Sequence, residues 1–298
     1  MEPQVRLEFE TTRSLDLHLT LAPIGLGPSL FFDGAEAWRA TRTPEGPATI
    51  HLRQAGRTIE VEAWGPGGRW AAAHAPHLCG EQDDSGGFAP KHRVIAELHR
   101  RHPGLRLTRT AAVFEALVPA VLGQKVTTIE AEAGYRALVA ALGEPAPGPV
   151  GLKLPPASQV LAHTPYWAFH PFGIERRRAE VIIRAARSAN RLEEIATMDR
   201  PSAYRRLEAF PGVGPWTAAK VALVALGDAD AVPVGDYHLP HAVGYALEGT
   251  QRSSDERMLQ LLDPYRGHRA RVIRLLTISG IGAPRFGPKK PLRNIIEN

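Results

Sequence analysis

The apolar residues of this chain change period part-way along it, and that change constrains the fold more than any other feature. Up to about residue 63 apolar and polar residues alternate; from about residue 108 apolar residues recur at spacings of three and four. Alternation suits a strand with one buried face, and the longer period suits an amphipathic helix, so the chain reads as a sheet followed by helices, an α+β organisation. VRLEFE (5–10) and LDLHLTL (15–21) predict strands. Residues 30–40 predict a hairpin around Asp33-Gly34 and residues 49–63 a second around Ala55-Gly56, giving an antiparallel sheet of about five strands.

Beyond the sheet, residues 90–104 predict a helix with Pro90 in its first turn and Gly104 as its stop. From Thr110, the residues Phe114, Leu117, Val118, Val121 and Leu122 share one helical face, with Pro119 expected to kink that helix or delay its start. Helices are also predicted over 126–144, ending near Gly143, and over 175–189. Ser202 is expected to cap a helix running to Glu208; Pro215 to open another that Gly227 stops; and 240–248 and 254–279 to complete a helical second region. The polar or Pro/Gly-rich stretches 81–90 and 144–156 read as linker and loop.

Charge divides along the same line. Residues 1–90 carry 7 Lys/Arg against 12 Asp/Glu, a net of −5, and residues 91–298 carry 29 against 19, a net of +10. The second region is the one suited to an anionic partner, with a solvated arginine-rich surface as the plain alternative. The single cysteine, Cys79, excludes an intrachain disulfide, a four-cysteine cluster and a cysteine-based zinc finger, and is expected to be a buried thiol. The sequence has no run of about 18 apolar residues, and MEPQVRLEFE lacks the basic and apolar regions of a signal peptide, so a cytoplasmic protein with no membrane segment is expected.

LEAFPGVGPWTAAK (207–220) places two glycines and two prolines between helices. Gly212 and Gly214 can take positive φ and carry no side chain, so backbone N–H groups at the bend and at the next helix start can face a phosphate oxygen. An ordinary tight connection is the competing reading. Downstream, DADAVPVGDYHLP (228–240) puts Asp236 in or just before the first turn of the next helix, where it would serve either as a cap or as a reactive carboxylate.

The Gly/Pro hairpin with this downstream Asp resembles the helix-hairpin-helix (HhH-GPD) DNA glycosylases, most closely their AlkA-like, 3-methyladenine type. LDLHLTL is similar to the start of that branch's N-terminal sheet domain, HPGLRLTRTAAVFEALVPAVLGQKVT (102–127) to the segment entering its DNA-wedge loop with Leu122-Gly123-Gln124, and VPVGDYHLP to its catalytic loop. The resemblance implies an N-terminal sheet domain, residues 1–90, followed by an all-helical two-lobed domain. One lobe, 112–228, carries the hairpin; the other joins 91–111 to 229–298. It also implies a monofunctional hydrolase that frees alkylated bases from duplex DNA in base-excision repair, with Asp236 catalytic. Trp216 and Tyr237 would line the base pocket, while Gly212, Val213, Gly214, Thr217, Gln124 and Lys125 would meet DNA. No organic cofactor is implied; a monovalent cation on the carbonyls of Phe210 and Val213 is compatible with the family. A monomer is expected.

Trp216 stands where the lyase branches carry the lysine that forms a Schiff base, which is why a monofunctional enzyme is implied. Lys220, one turn later, is expected on a solvated face pointing elsewhere. The chain departs from the type at Lys125, where an apolar wedge is usual, at Lys220, where a pocket tyrosine is usual, and near Thr277, where a tryptophan is usual. Deaminated bases such as hypoxanthine or uracil therefore stay open as substrates, as does a non-catalytic DNA-binding role. Trp167, Phe169, His170 and Phe172, ahead of Arg176, Arg177 and Arg178, read as a satellite core with a solvated basic face or as a groove lining. Arg285, Lys289, Lys290 and Arg293 are expected to add non-specific phosphate attraction from the tail.

Overall fold

The structure, a computed structural model, describes residues 2–25 and 27–282. Among them five strands form one antiparallel sheet: β1 (Val5–Glu10), β2 (Leu30–Asp33), β3 (Glu36–Thr43), β4 (Gly46–Ala55) and β5 (Thr58–Trp64), in the order β1-β5-β4-β3-β2. The expected hairpins pair Asp33 with Glu36 and Ala55 with Thr58. A third tight turn, Pro44-Glu45, pairs Thr43 with Gly46 and lengthens β3 and β4 beyond the alternating stretches.

LDLHLTL is not a strand: Leu17–Leu21 is a short helix, α1, whose N-cap Asp16 accepts the Leu19 N–H. Leu17, Thr20 and Leu21 are its buried residues, a helical spacing hidden by the polar threonine. Thr20 is tolerated inside because its hydroxyl accepts the Arg106 N–H. With α1 interposed, the strand after it starts at the far edge, and β1 pairs with β5.

Helices α2 (Gly68–Ala73) and α3 (Ala75–Leu78) pack Ala71, Ala72, Ala75 and Leu78 onto the sheet residues Ile50, Leu52, Ile59 and Val61. Cys79 joins this core, fully buried, and burial pushes its thiol up to about 12, so it stays protonated. The opposite face of the sheet, around Trp38 and Ala40, is covered by Leu152 and Leu154 from the 144–156 loop.

The remaining helices are α4 (Arg93–Arg101), α5 (Val113–Leu122), α6 (Thr128–Leu142), α7 (Ser158–His163), α8 (Arg176–Arg187), α9 (Ala189–Glu193), α10 (Arg200–Glu208), α11 (Pro215–Val221), α12 (Leu239–Glu248), α13 (Asp255–Leu262) and α14 (Arg269–Ser279). Pro90 lies outside α4. Pro119 lies within α5, which starts six residues earlier because the Glu193 carboxylate accepts the N–H groups of Val113 and Phe114 at its first turn. Asp199, not Ser202, caps α10, its carboxylate accepting the Ser202 N–H. The single helix expected over 254–279 is two, parted by a turn containing Pro264 and by Gly267 at φ +86°.

One core joins α5, α8, α10 and α11 through Leu117, Val121, Ile182, Leu207 and Val221; another joins α4, α12, α13 and α14 through Ile95, Val243, Met258 and Leu275. The sheet is tied to the first of these by Arg39 of β3, paired at 2.5 Å with Glu115 of α5, which also accepts the Thr41 hydroxyl. Both partners are largely buried, so removing one would strand the other's charge. The basic tail residues Arg285, Lys289, Lys290 and Arg293 lie outside the described residues.

Candidate active site

The hairpin connects α10 to α11 through residues 209–214. Gly212 sits at φ +94°, and a Cβ there would stand 2.4 Å from Val181 of α8, so both conformation and space require glycine. Gly214 is extended, at φ −102° and ψ −177°, as the N-cap of α11, and Gly212 is the residue that turns the chain. Pro215 opens α11 at a position where its missing N–H costs nothing. Gly214 receives no side-chain cap bond, so the first-turn N–H groups of α11 point away from the helix without one. Beyond Val221 the helix widens into a π turn, Ala222–Leu226, and ends at Gly227 with φ +61°.

The segment Leu122-Gly123-Gln124 packs against this hairpin, and each residue has a task. The Leu122 carbonyl accepts the buried Arg178 guanidinium at 2.9 Å. Gly123 faces the Trp216 ring, where a Cβ would come within 3.1 Å of the indole. Gln124 donates its side-chain amide to the Gly212 carbonyl and to the Thr217 hydroxyl, both at 2.9 Å. Thr217 is itself buried. Lys125 follows at φ +58° and exposed, a left-handed conformation uncommon outside glycine.

The loop from 228 to 238 is pinned by carboxylates. Asp228 accepts the Tyr204 hydroxyl of α10 at 2.8 Å. Asp230 holds Arg269 of α14 in a two-pronged pair at 2.8 and 2.6 Å. Gly235, at φ +90°, donates its N–H to Asp255 at 3.0 Å. The loop thus delivers Asp236 from three fixed points.

Asp236 is half-buried, and both its oxygens accept hydrogen bonds. Oδ1 accepts the N–H groups of His238 and Leu239 at 2.9 Å each, and Oδ2 accepts the Trp216 indole N–H at 2.8 Å. Burial alone would raise its pKa, but the bonds from Trp216, Leu239 and His238, with the nearby Lys220 charge, outweigh it and hold the carboxyl below the usual range. The cap geometry and the reactive placement coexist: one oxygen anchors the start of α12 while the other is held against the hairpin tryptophan. A carboxylate kept ionised in this way stabilises an adjacent developing cation and can orient water.

Lys220 does not point elsewhere. Four residues after Trp216 it lies on the same helical face, with its ammonium 6.0 Å from the centre of the Trp216 ring. It is exposed, yet the protein packed around it holds its ammonium below the usual lysine range; Asp236 opposes that shift and Arg274 of α14 adds to it. Arg274 is itself lowered by burial, and its Nε has no hydrogen-bond partner among the described residues. The carboxylate therefore has the Lys220 ammonium as its neighbouring charge, with Arg274 acting on that lysine.

The structure brings Asp236, Trp216, Gly212, Val213, Gly214, Thr217 and Gln124 into one neighbourhood. Tyr237 stands 81% exposed, its ring edge-on to His238. Val213 is buried, and its N–H closes the turn onto the Phe210 carbonyl at 3.0 Å. The aromatic run divides: Phe169 is core, Trp167 is 62% exposed, and Tyr166 lies beneath Arg176 at 4.5 Å. Arg178 is no part of a solvated face. The sequence singles out Gly123 and Arg178 without their tasks and does not single out Arg274; those tasks depend on partners distant in the chain, although the i, i+4 spacing of Trp216 and Lys220 was available.

No protein-family model matches the chain. In sequence it is similar to a probable bifunctional transcriptional activator/DNA repair enzyme AlkA of Mycobacterium tuberculosis, 36% identical over 140 residues, which cover 46% of this chain and 28% of that protein. It is likewise similar to DNA-3-methyladenine glycosylase 2 of Escherichia coli, 36% identical over 135 residues, 44% of this chain and 47% of that protein. The chain spans less than half the length of these curated relatives. In fold it is similar to a 3-methyladenine DNA-glycosylase from Archaeoglobus fulgidus, with a TM-score of 0.76 and 22% identity over 92% of this chain and 98% of that one. Two other proteins of this fold were solved in complex with DNA, one of them with abasic DNA.

Proposed function

We propose that the chain is a glycosylase of the AlkA-like, helix-hairpin-helix (HhH-GPD) type and hydrolyses the N-glycosidic bond of alkylated bases in duplex DNA, the 3-methyladenine and 7-methylguanine type, as a step of base-excision repair. The observation that carries this reading is the Asp236 carboxylate, kept ionised and aimed by the Trp216 indole.

Loss of the base leaves positive charge on the sugar, and an anion fixed beside C1′ lowers the energy of that state. The target bond is inaccessible inside a stacked duplex, so the nucleotide must leave the stack. Hairpin N–H groups at Gly212 and Gly214 and the start of α11 would hold a backbone phosphate, with Gln124 and Lys125 on the adjoining loop and Thr217 supporting it. The flipped base would stand against Trp216, with Tyr237 at the rim. Water, oriented by Asp236, then adds to C1′, leaving an abasic site and a free base. A tryptophan at position 216 supplies no amine, which supports a monofunctional hydrolase. The three largest cores support the division into a sheet domain, 1–90, a hairpin lobe, 112–228, and a lobe formed by 91–111 with 229–298.

The test is release of free base from duplexes carrying 7-methylguanine or 3-methyladenine. Release with formation of abasic sites is expected. Binding of the same duplexes without release would leave a DNA-binding protein and end the enzymatic reading.

A further inference from the structure

A lysine ammonium beside the ring expected to hold the base is unexpected for a site that takes only bases already bearing a positive charge. A base with a fixed cation leaves without a proton and is repelled by a neighbouring ammonium. A neutral base leaves as an anion unless a donor protonates it as the bond breaks.

Lys220 has the position for that donor. It shares the exposed face of α11 with Trp216, the ring against which the base is expected to stand, and its head lies 6.0 Å from the ring centre. Lys220 makes no ion pair among the described residues: Asp236, the carboxylate acting on it, spends its oxygens on Trp216, His238 and Leu239. Arg274 faces it from α14 and cannot accept a proton from it.

We propose that Lys220 is the proton donor that lets this site release neutral damaged purines of the hypoxanthine class, and that its charge holds back bases with a fixed positive charge. The inference rests on the glycosylase reading above. In the step, the C1′–N bond breaks and its electron pair passes to the base, a ring nitrogen of which takes the proton from Lys220 Nζ. Water bonds to C1′ and gives its proton to Asp236, which passes it to solvent, and Lys220 regains a proton from solvent. The ammonium held below the usual lysine range fits a donor that gives its proton up readily. The groups that bear on its titration are Asp236 from the loop and Arg274 from α14.

The experiment compares release of hypoxanthine and of 7-methylguanine from otherwise identical duplexes by the wild type and by Lys220→Met, with Lys220→Arg as a variant that keeps the charge. For Lys220→Met the hypoxanthine to 7-methylguanine ratio is expected to fall about 100-fold, with 7-methylguanine release rising. Lys220→Arg is expected to lose hypoxanthine release while still restraining 7-methylguanine. A ratio unchanged in Lys220→Met, including an equal fall for both bases, overturns the assignment and leaves the glycosylase reading standing. If the wild type releases neither base, the glycosylase reading itself fails.

Discussion

Two irregular segments meet at the site, and they are held by different physics. The hairpin, 209–214, is fixed by close packing: Gly212 lies against Val181 where no Cβ fits, and Val213 closes the turn and is buried. The loop, 228–238, is fixed by charge and hydrogen bonds: Asp228 to Tyr204, Asp230 to Arg269, Gly235 to Asp255. Steric fixing is insensitive to pH and salt and intolerant of added atoms. Electrostatic fixing tolerates atoms and responds to protonation. The carboxylate comes from the second kind of support and the ring that aims it from the first, so the two can be disturbed separately.

The largest stability loss is expected on the steric side. Gly212→Ala forces a Cβ into Val181 at a positive φ, and thermal or urea unfolding should show a loss of about 3 kcal/mol. A loss below about 1 kcal/mol would mean the turn is not packed as tightly as described. On the electrostatic side, Asp230→Ala removes the paired acceptor of Arg269, and about 2 kcal/mol should be lost in the same unfolding measurement.

The pH response separates the segments further. The Asp230 carboxyl is half-exposed; burial would raise its pKa, but the Arg269 bonds and charge and the Gly267 N–H bring it below the usual value. Its contribution is then present above the unfolded pKa, about 3.9, and is lost as pH falls through the folded one. Wild type should weaken below about pH 4, and Asp230→Asn should weaken less steeply there. Identical acid limbs would remove the electrostatic half of the comparison.

Smaller effects come from the contact between the segments and from the rim. Gln124→Ala deletes two bonds to the hairpin and should cost about 1 kcal/mol in unfolding. Tyr237→Ala, at an exposed position, should change stability by no more than about 0.5 kcal/mol while slowing base release; a large loss of stability would give Tyr237 a packing role instead.

Much of this was legible in the sequence where the determinants are local. Asp33-Gly34 and Ala55-Gly56 carry their own turn chemistry, Pro215 and Gly227 mark the ends of a helix run, and Asp236 follows from the loop before Pro240. LDLHLTL misled because alternation and a helical face can share the same leucines once Thr20 is allowed inside, and the Arg106 N–H that permits this is remote in the chain. The spacing of Gly212 and Gly214 does not say which of them turns the chain. Lys220 was misplaced although i, i+4 spacing puts it beside Trp216. The tasks of Gly123 and Arg178 were illegible for a stronger reason: each acts on a segment far along the chain.

The central claim is that Asp236 acts on the glycosidic bond and is more than a cap on α12. The direct measurement is single-turnover release of 7-methylguanine from duplex DNA by Asp236→Asn, beside its affinity for the same duplex. The amide keeps a carbonyl oxygen for the His238 and Leu239 N–H groups but loses the charge. The account predicts duplex binding close to that of the wild type and release slower by about 100- to 1000-fold; release at the wild-type rate would contradict it.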